Sequence, residues 1–174
     1  MIKSFLLLLI LLLSIITQVS SQGSAHISSG TYKLVNQKSK KVLGVAGSSL
    51  QDGAKVNQYQ PTGAISQRWY LYYEGYLFGG RTYSIICSNS GKAIDNPSSS
   101  KVAGTQMQQY TWNEGENQMF VMTKLEDESV YFKNVASQLY LDIKDASKNH
   151  GAPLIQSTFH GGSSQRFYLI PHNL

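Results

Sequence analysis

Three short stretches of this chain are versions of one another, and they constrain its fold more than any other feature. Ser66-Gln67-Arg68-Trp69-Tyr70-Leu71 returns as Ser164-Gln165-Arg166-Phe167-Tyr168-Leu169, with a looser copy, Asn117-Gln118-Met119-Phe120-Val121-Met122, between them. Adding 51 to a number in the first copy gives the second, and adding 98 gives the third. Other columns follow the same offsets without a gap. They include Leu43, Ile94 and Leu141; Ser39, Ser90 and Ser137; Gly53, Gly104 and Gly151; and Gln58, Gln109 and Gln156. Successive side chains of a strand face opposite sides, so Trp69, Phe120 and Phe167 are expected to point inward together. Gln67, Gln118 and Gln165 share that parity, where a buried amide needs partners. They are expected to bond to backbone and fix the chain as it enters the strand.

The rest of each unit reads as short strands. Thr31–Val35, Thr82–Ile86 and Val130–Asn134 open the repeats, and a hairpin turn leads to Val42-Leu43, Ala93-Ile94 or Tyr140-Leu141. A polar loop follows, in which Gly53, Gly104 and Gly151 are expected to supply positive φ, open to Gly at no steric cost. The third strands are Val56–Tyr59, Met107–Tyr110 and Leu154–Ser157, and the Gln-x-aromatic strand closes each unit. After the leader no window carries a sustained helical stripe, so no helix is expected. Three units are too few for a propeller, which uses about 4–8 blades.

The Gln-x-Trp triplet in three registered copies resembles the ricin B-type lectins, also called QxW lectins. The resemblance runs from Gly30 to Ile170, with repeats at about 30–71, 81–122 and 129–170 in a domain spanning 22–174. It implies an all-β fold, the β-trefoil, with three four-stranded repeats in pseudo-threefold symmetry. It also implies shallow sugar pockets, each built from four parts. These are an Asp after the Leu/Ile position, a Gln and an aromatic on the third strand, and an Asn before the triplet Gln.

Only the second repeat fills all four positions, with Asp95, Gln108, Tyr110 and Asn117. A carboxylate there is expected to accept two sugar hydroxyls, since charge-assisted bonds are the stronger kind. An aromatic face would cover the sugar's C–H side, with Trp112 as a second wall. The plainer reading makes Asp95 the cap of the Asn96-Pro97 turn. In the third repeat Asp142 is present, but Ile155, Ser157 and Ser164 replace the amides and the aromatic, leaving Phe159 or His160 to stack on the sugar. In the first, Gly44 stands where the Asp belongs. The resemblance thus implies a non-catalytic carbohydrate-binding protein, its ligand a galactose-type sugar or polysaccharide held mainly by the second repeat. A degenerate trefoil that binds proteins is the alternative.

Charge and cysteine usage narrow the partners. The 174 residues fit one domain. Met1-Ile2-Lys3 is followed by an apolar run from Phe5 to Ile16, broken only by Ser14, with Val19 and Ser21 placed for cleavage. This reads as a signal peptide over 1–21. The run falls short of the roughly 20 residues of a spanning anchor. Secretion to the extracellular space is expected, with a mature chain starting near Gln22. Losing Lys3 lowers the formal charge from +5 to about +4. Lys38, Lys40 and Lys41 form the sole basic cluster, in a turn. Nothing resembles a nucleic-acid motif, and membranes are expected to be met only through cell-surface glycans. Cys87 is the only cysteine, expected as a half-buried thiol. His26, His150, His160 and His172 lie apart, with no metal-ligand spacing, and Glu114, Glu116 and Glu126-Asp127-Glu128 read as exposed loops. No catalytic set, metal or cofactor is expected.

Overall fold

The computed structural model describes residues 27–172. The leader and His26 lie outside the described residues. Six strands close into a barrel: β1 (Gly30–Asn36), β4 (Trp69–Leu77), β5 (Gly80–Cys87), β8 (Met119–Lys124), β9 (Val130–Asn134) and β12 (Phe167–Pro171). The antiparallel ring runs β1-β4-β5-β8-β9-β12 and returns to β1. Three hairpins complete the trefoil: β2 (Val42–Val45) with β3 (Val56–Tyr59), β6 (Ala93–Asp95) with β7 (Gln108–Tyr110), and β10 (Tyr140–Ile143) with β11 (Leu154–Ser157). Closure matters because a bare sheet edge is a template for aggregation. The described residues contain no α-helix, only six three-residue 3-10 turns.

The repeat columns are the core. Trp69, Phe120 and Phe167 are wholly buried in one apolar cluster, with Leu43, Ile94 and Leu141, and with Val56, Met107 and Leu154. Alternation sends their neighbours outward, as with Tyr70 and Tyr72 beside Trp69 and Leu71.

The triplet glutamines are buried and bonded to backbone, but they stand outside the strands. Each ends a 3-10 turn, at Ile65–Gln67, Glu116–Gln118 or Ser163–Gln165. From there the amide folds back over the preceding loop. Gln67 accepts from the Thr62 amide at 2.9 Å and donates to Gln60 O at 2.9 Å. Gln118 does the same with Asn113 and Thr111, both at 3.0 Å, and Gln165 with His160 and Thr158, at 3.0 and 2.8 Å. Each triplet therefore pins the loop that precedes it.

A second set of glutamines ties the repeats together. Gln58 Nε2 donates to Ser147 O and Asn149 O at 2.8 and 3.0 Å. Gln109 donates to Ser49 O and Gln51 O, both at 2.9 Å, and Gln156 to Ser100 O and Val102 O at 2.8 and 2.9 Å. The first repeat thus holds a loop of the third, the second holds the first, and the third holds the second. The glycine column completes each clasp. Gly53, Gly104 and Gly151, at φ of 81, 91 and 79°, donate their amides to the carbonyls of Gln109, Gln156 and Gln58. Gln109→Ala is expected to cost about 1–3 kcal/mol, the penalty for stranding buried polar groups. Urea denaturation measures it, and the local sign is faster amide exchange in the Ser49–Gly53 loop of the first repeat.

Cys87 is wholly buried rather than half-buried. It occupies the column of Asn36 and Asn134, whose amides donate to Ser164 O and Asn117 O at 2.7 and 2.9 Å. Its thiol sits 4.0 Å from Ser66 O, a weak version of the same bond.

Tyr83 is also wholly buried, its hydroxyl donating to Ile27 O at 2.8 Å. Burial pushes this phenol up to about 12 from 10.0. The neutral form is favoured when folded, so its contribution is complete below pH ~10 and is lost as pH climbs towards ~12. Stability is expected to fall over that alkaline window, and Tyr83→Phe should flatten this part of the fall in pH-dependent denaturation curves.

Candidate functional site

Asp95 ends β6, and its hairpin partners decide what its carboxylate meets. Gln108, opposite it on β7, donates Nε2 to Asp95 Oδ1 at 2.9 Å. Asn117 Nδ2 and Gln118 Nε2 donate to Oδ2 at 2.7 and 3.0 Å. The residue is only 3% exposed, and the N–H donors in place of water make its burial tolerable. Asp95, Gln108, Tyr110 and Asn117, named from the sequence, therefore do come together. They line one cleft of ≈340 Å³ with Ser98, Ser99 and Asn113. The turn that starts at Asn96-Pro97 has no side-chain cap, and the Asp95 carboxylate bonds to Gln108, Asn117 and Gln118 instead.

A carboxylate offers about four lone-pair sites, and three are taken. One acceptor position remains, on Oδ1, so the carboxylate has room for one incoming hydroxyl rather than the two expected. Tyr110, 41% exposed, supplies an open aromatic face at the same cleft. The geometry suits a polar ligand that donates one hydrogen bond to Asp95 and lays an apolar face on a ring.

The loop from Thr111 to Gln118 forms the far wall and is held stiffly. Gln118 grips both ends of its first turn, as above. Asp52, from the first repeat, accepts from the Thr111 amide at 2.8 Å and pairs with Lys92 at 2.7 Å. That pairing, with the Thr111 bonds, holds its carboxyl below the usual carboxylate range. Gly115 lets the two asparagines close over it: a Cβ would come within 2.5 Å of Asn117 Oδ1 and 2.8 Å of Asn113 Oδ1, so both side chains would have to shift.

Trp112 is not a wall of this cleft. Trp112 and Glu114 line a neighbouring cleft, and Asn113 between them lines the Asp95 side. The third repeat repeats this offset. Phe159, in the Trp112 column, packs on Tyr140 and Tyr131 at centroid distances of 4.8 and 5.1 Å. The next residue, His160, in the Asn113 column, is the one that meets the aspartate. Its Nε2 lies 2.8 Å from Asp142 Oδ2. Its Nδ1 accepts from the Gly162 amide at 3.1 Å, which leaves the ring proton on Nε2 for Asp142. Asp142 Oδ1 is buried without a partner among the described residues.

The first repeat leaves little space for the missing acid. A Cβ on Gly44 would already meet Gln67 Cγ at 3.1 Å and Tyr59 Cδ2 at 3.2 Å. Ser98, Ser99 and Asn113 were not singled out from the sequence. The usable signal for Asn113 was its column, shared with Thr62 and His160. Among the described residues no group of His, Cys, Asp and Glu is arranged to hold a metal.

Comparison with known proteins agrees with this architecture. The family described as ricin-type beta-trefoil lectin domain-like matches residues 18–78, 74–157 and 126–173. The chain belongs to that family, and it carries a carbohydrate-binding fold. No curated protein matches it. Among solved structures it is similar to ThreeFoil, a designed threefold-symmetric protein, at 35% identity and a TM-score of 0.78, covering 82% of this chain and 99% of that one. It is similar to part of an exo-β-1,3-galactanase from Clostridium thermocellum, at 32% identity and TM-score 0.77. That match covers 85% of this chain but 31% of the enzyme. It shares its fold with the Macrolepiota procera ricin B-like lectin, in complex with lactose, at 16% identity and TM-score 0.71, over 85% and 100% of the two chains.

Proposed function

We propose that this chain is a secreted lectin without catalytic activity, binding a galactose-type sugar chiefly at the second-repeat cleft. The observation that carries the reading is the buried Asp95 carboxylate, braced by three amides and left with one acceptor site beside the exposed Tyr110 ring. A sugar ring presents hydroxyls on its edge and C–H groups on its face, which is the complement of that arrangement. The galactose assignment is supported by the lactose held by the Macrolepiota lectin and by the galactanase name of the Clostridium enzyme. The third repeat supplies a secondary site, its aspartate shared with His160. A glycan array probed with the protein tests this. Galactose-terminated glycans are expected to be retained, and retention of none overturns the reading in favour of a protein-binding trefoil. Secretion rests on the N-terminal leader pattern alone. Intact-mass measurement of expressed protein is expected to find a chain starting near Gln22 in the medium, and the full-length mass in a membrane fraction would refute it.

A further inference from the structure

A cleft of ≈590 Å³ adjoins the Asp95 cleft and lies on the outer face of the barrel where the first two repeats meet. Its floor is a sheet surface. Tyr70, Tyr72 and Glu74 come from β4, Ser84 and Ile86 stand opposite on β5, and Met119 follows on β8. Tyr72 is 52% exposed. Alternate residues of a strand lie about 7 Å apart on one face, so Tyr70 and Tyr72 present two rings in file. Trp112 and Glu114 form the side wall.

This cleft exists because the second repeat omits what the other two place there. The Met119 column holds Arg68 and Arg166, and the Glu114 column holds Gly63 and Gly161. Both arginines reach across the space: Arg68 donates to Gly63 O and Arg166 to Gly161 O, each at 2.9 Å. In the third repeat Tyr131 fills the rest, bonded to Arg166 and packed on Phe159. In the second repeat Ser84 replaces that tyrosine, and methionine replaces the arginine. The result is an open aromatic trough with two carboxylates and no basic residue, in a chain of formal charge +5. Neither Glu74 nor Glu114 forms an ion pair among the described residues.

The trough shares a wall with the Asp95 cleft, the loop whose consecutive side chains Trp112, Asn113 and Glu114 alternate between the two. We infer that the trough is an extension subsite for an uncharged oligosaccharide, whose end residue sits at Asp95 and whose following residues stack on Trp112, Tyr72 and Tyr70. The inference rests on the Asp95 cleft being a sugar site. Pyranose rings joined in a chain present repeated C–H faces to aromatic rings in file, and neutral hydroxyls donate to carboxylates. Glu74 and Glu114 select against chains carrying carboxylate or sulfate groups by like-charge repulsion.

Calorimetric titration of the whole protein with galactose and with β-1,3-linked galacto-oligosaccharides of two to five residues tests it. Affinity is expected to rise with length and then level off. Tyr72→Ala should lower the affinity for the longer oligomers about five- to tenfold, the share of one stacked ring, and leave galactose unchanged. Trp112→Ala repeats the test from the loop side. A glucuronate-bearing oligomer of the same length should gain nothing over galactose. Galactose binding with a flat length series overturns the inference alone. So does an equal loss of galactose and oligomer affinity in Tyr72→Ala, or concentration-dependent self-association abolished by Tyr72→Ala, which would give this face to a second copy. Failure of galactose and every oligomer to bind overturns the galactose reading, and the inference with it.

Discussion

Asp95→Ala is expected to weaken sugar binding roughly 30-fold. A hydrogen bond to a charged group contributes about 1.5–3 kcal/mol, and a loss of about 2 kcal/mol corresponds to that factor. Single lectin pockets are shallow, so retention on a galactose column should vanish. The same substitution strands the N–H groups of Gln108, Asn117 and Gln118, which now donate to Asp95. It should therefore also cost about 1–3 kcal/mol of stability, visible in a urea curve while the spectrum stays folded. Tyr110→Ala separates the two effects. The ring is 41% exposed at the cleft and accepts none of these bonds, so binding should fall with the urea midpoint unchanged. Asp142→Ala should matter less, and mainly on multivalent surfaces, where linked sites multiply apparent affinity. Wild-type affinity and stoichiometry in Asp95→Ala would move the sugar site elsewhere.

Trp69→Ala is expected to be the most destabilising single change in the core, at about 3–5 kcal/mol. The indole is wholly buried, and its Nε1 donates to Leu43 O at 3.0 Å. Truncation opens a cavity on the shared axis and leaves that carbonyl unpaired. Typical domains hold about 5–15 kcal/mol, so much of the reserve would go. Trp69→Phe is the informative companion. Phenylalanine already serves at Phe120 and Phe167, so the loss should shrink to about 1–2 kcal/mol, mostly the bond to Leu43. Chemical denaturation of both variants measures the difference. A loss under about 1 kcal/mol for Trp69→Ala would mean that the three aromatics do not form one cooperative core.

The columns were legible where one physical demand recurs in all three units. Gly53, Gly104 and Gly151 need positive φ, Gln58, Gln109 and Gln156 need a loop to hold, and Trp69, Phe120 and Phe167 need the axis. Side-chain direction within strands was equally readable, because a period of two leaves no choice. Direction within loops was not. Trp112 and Phe159 looked like stacking faces by their distance from the third strand, but a turn has no fixed period. There the position following each, Asn113 or His160, faces the aspartate. The stretch 72–80 also hid its structure. Its glycines resemble breakers, yet β4 runs on to Leu77 because a bulge between Tyr73 and Gly75 absorbs one residue, and Phe78 and Gly79 turn with φ of 53 and 77°. The trough beside Asp95 was invisible for another reason: it is made by residues that are missing, and Met119 or Ser84 has no meaning until set beside Arg166 and Tyr131.

The cyclic clasp of Gln58, Gln109 and Gln156 bears on how this molecule comes apart. A stacked solenoid can peel from a terminal unit, which answers to one neighbour only. Here every unit is both clasper and clasped, so the contact circuit has no terminal unit even though the polypeptide has two termini. Peeling any one repeat breaks two clasps and bares the axis at once. Intermediates with one or two repeats intact are thereby disfavoured, and the slowest-exchanging amides of all three repeats are expected to share a single opening event.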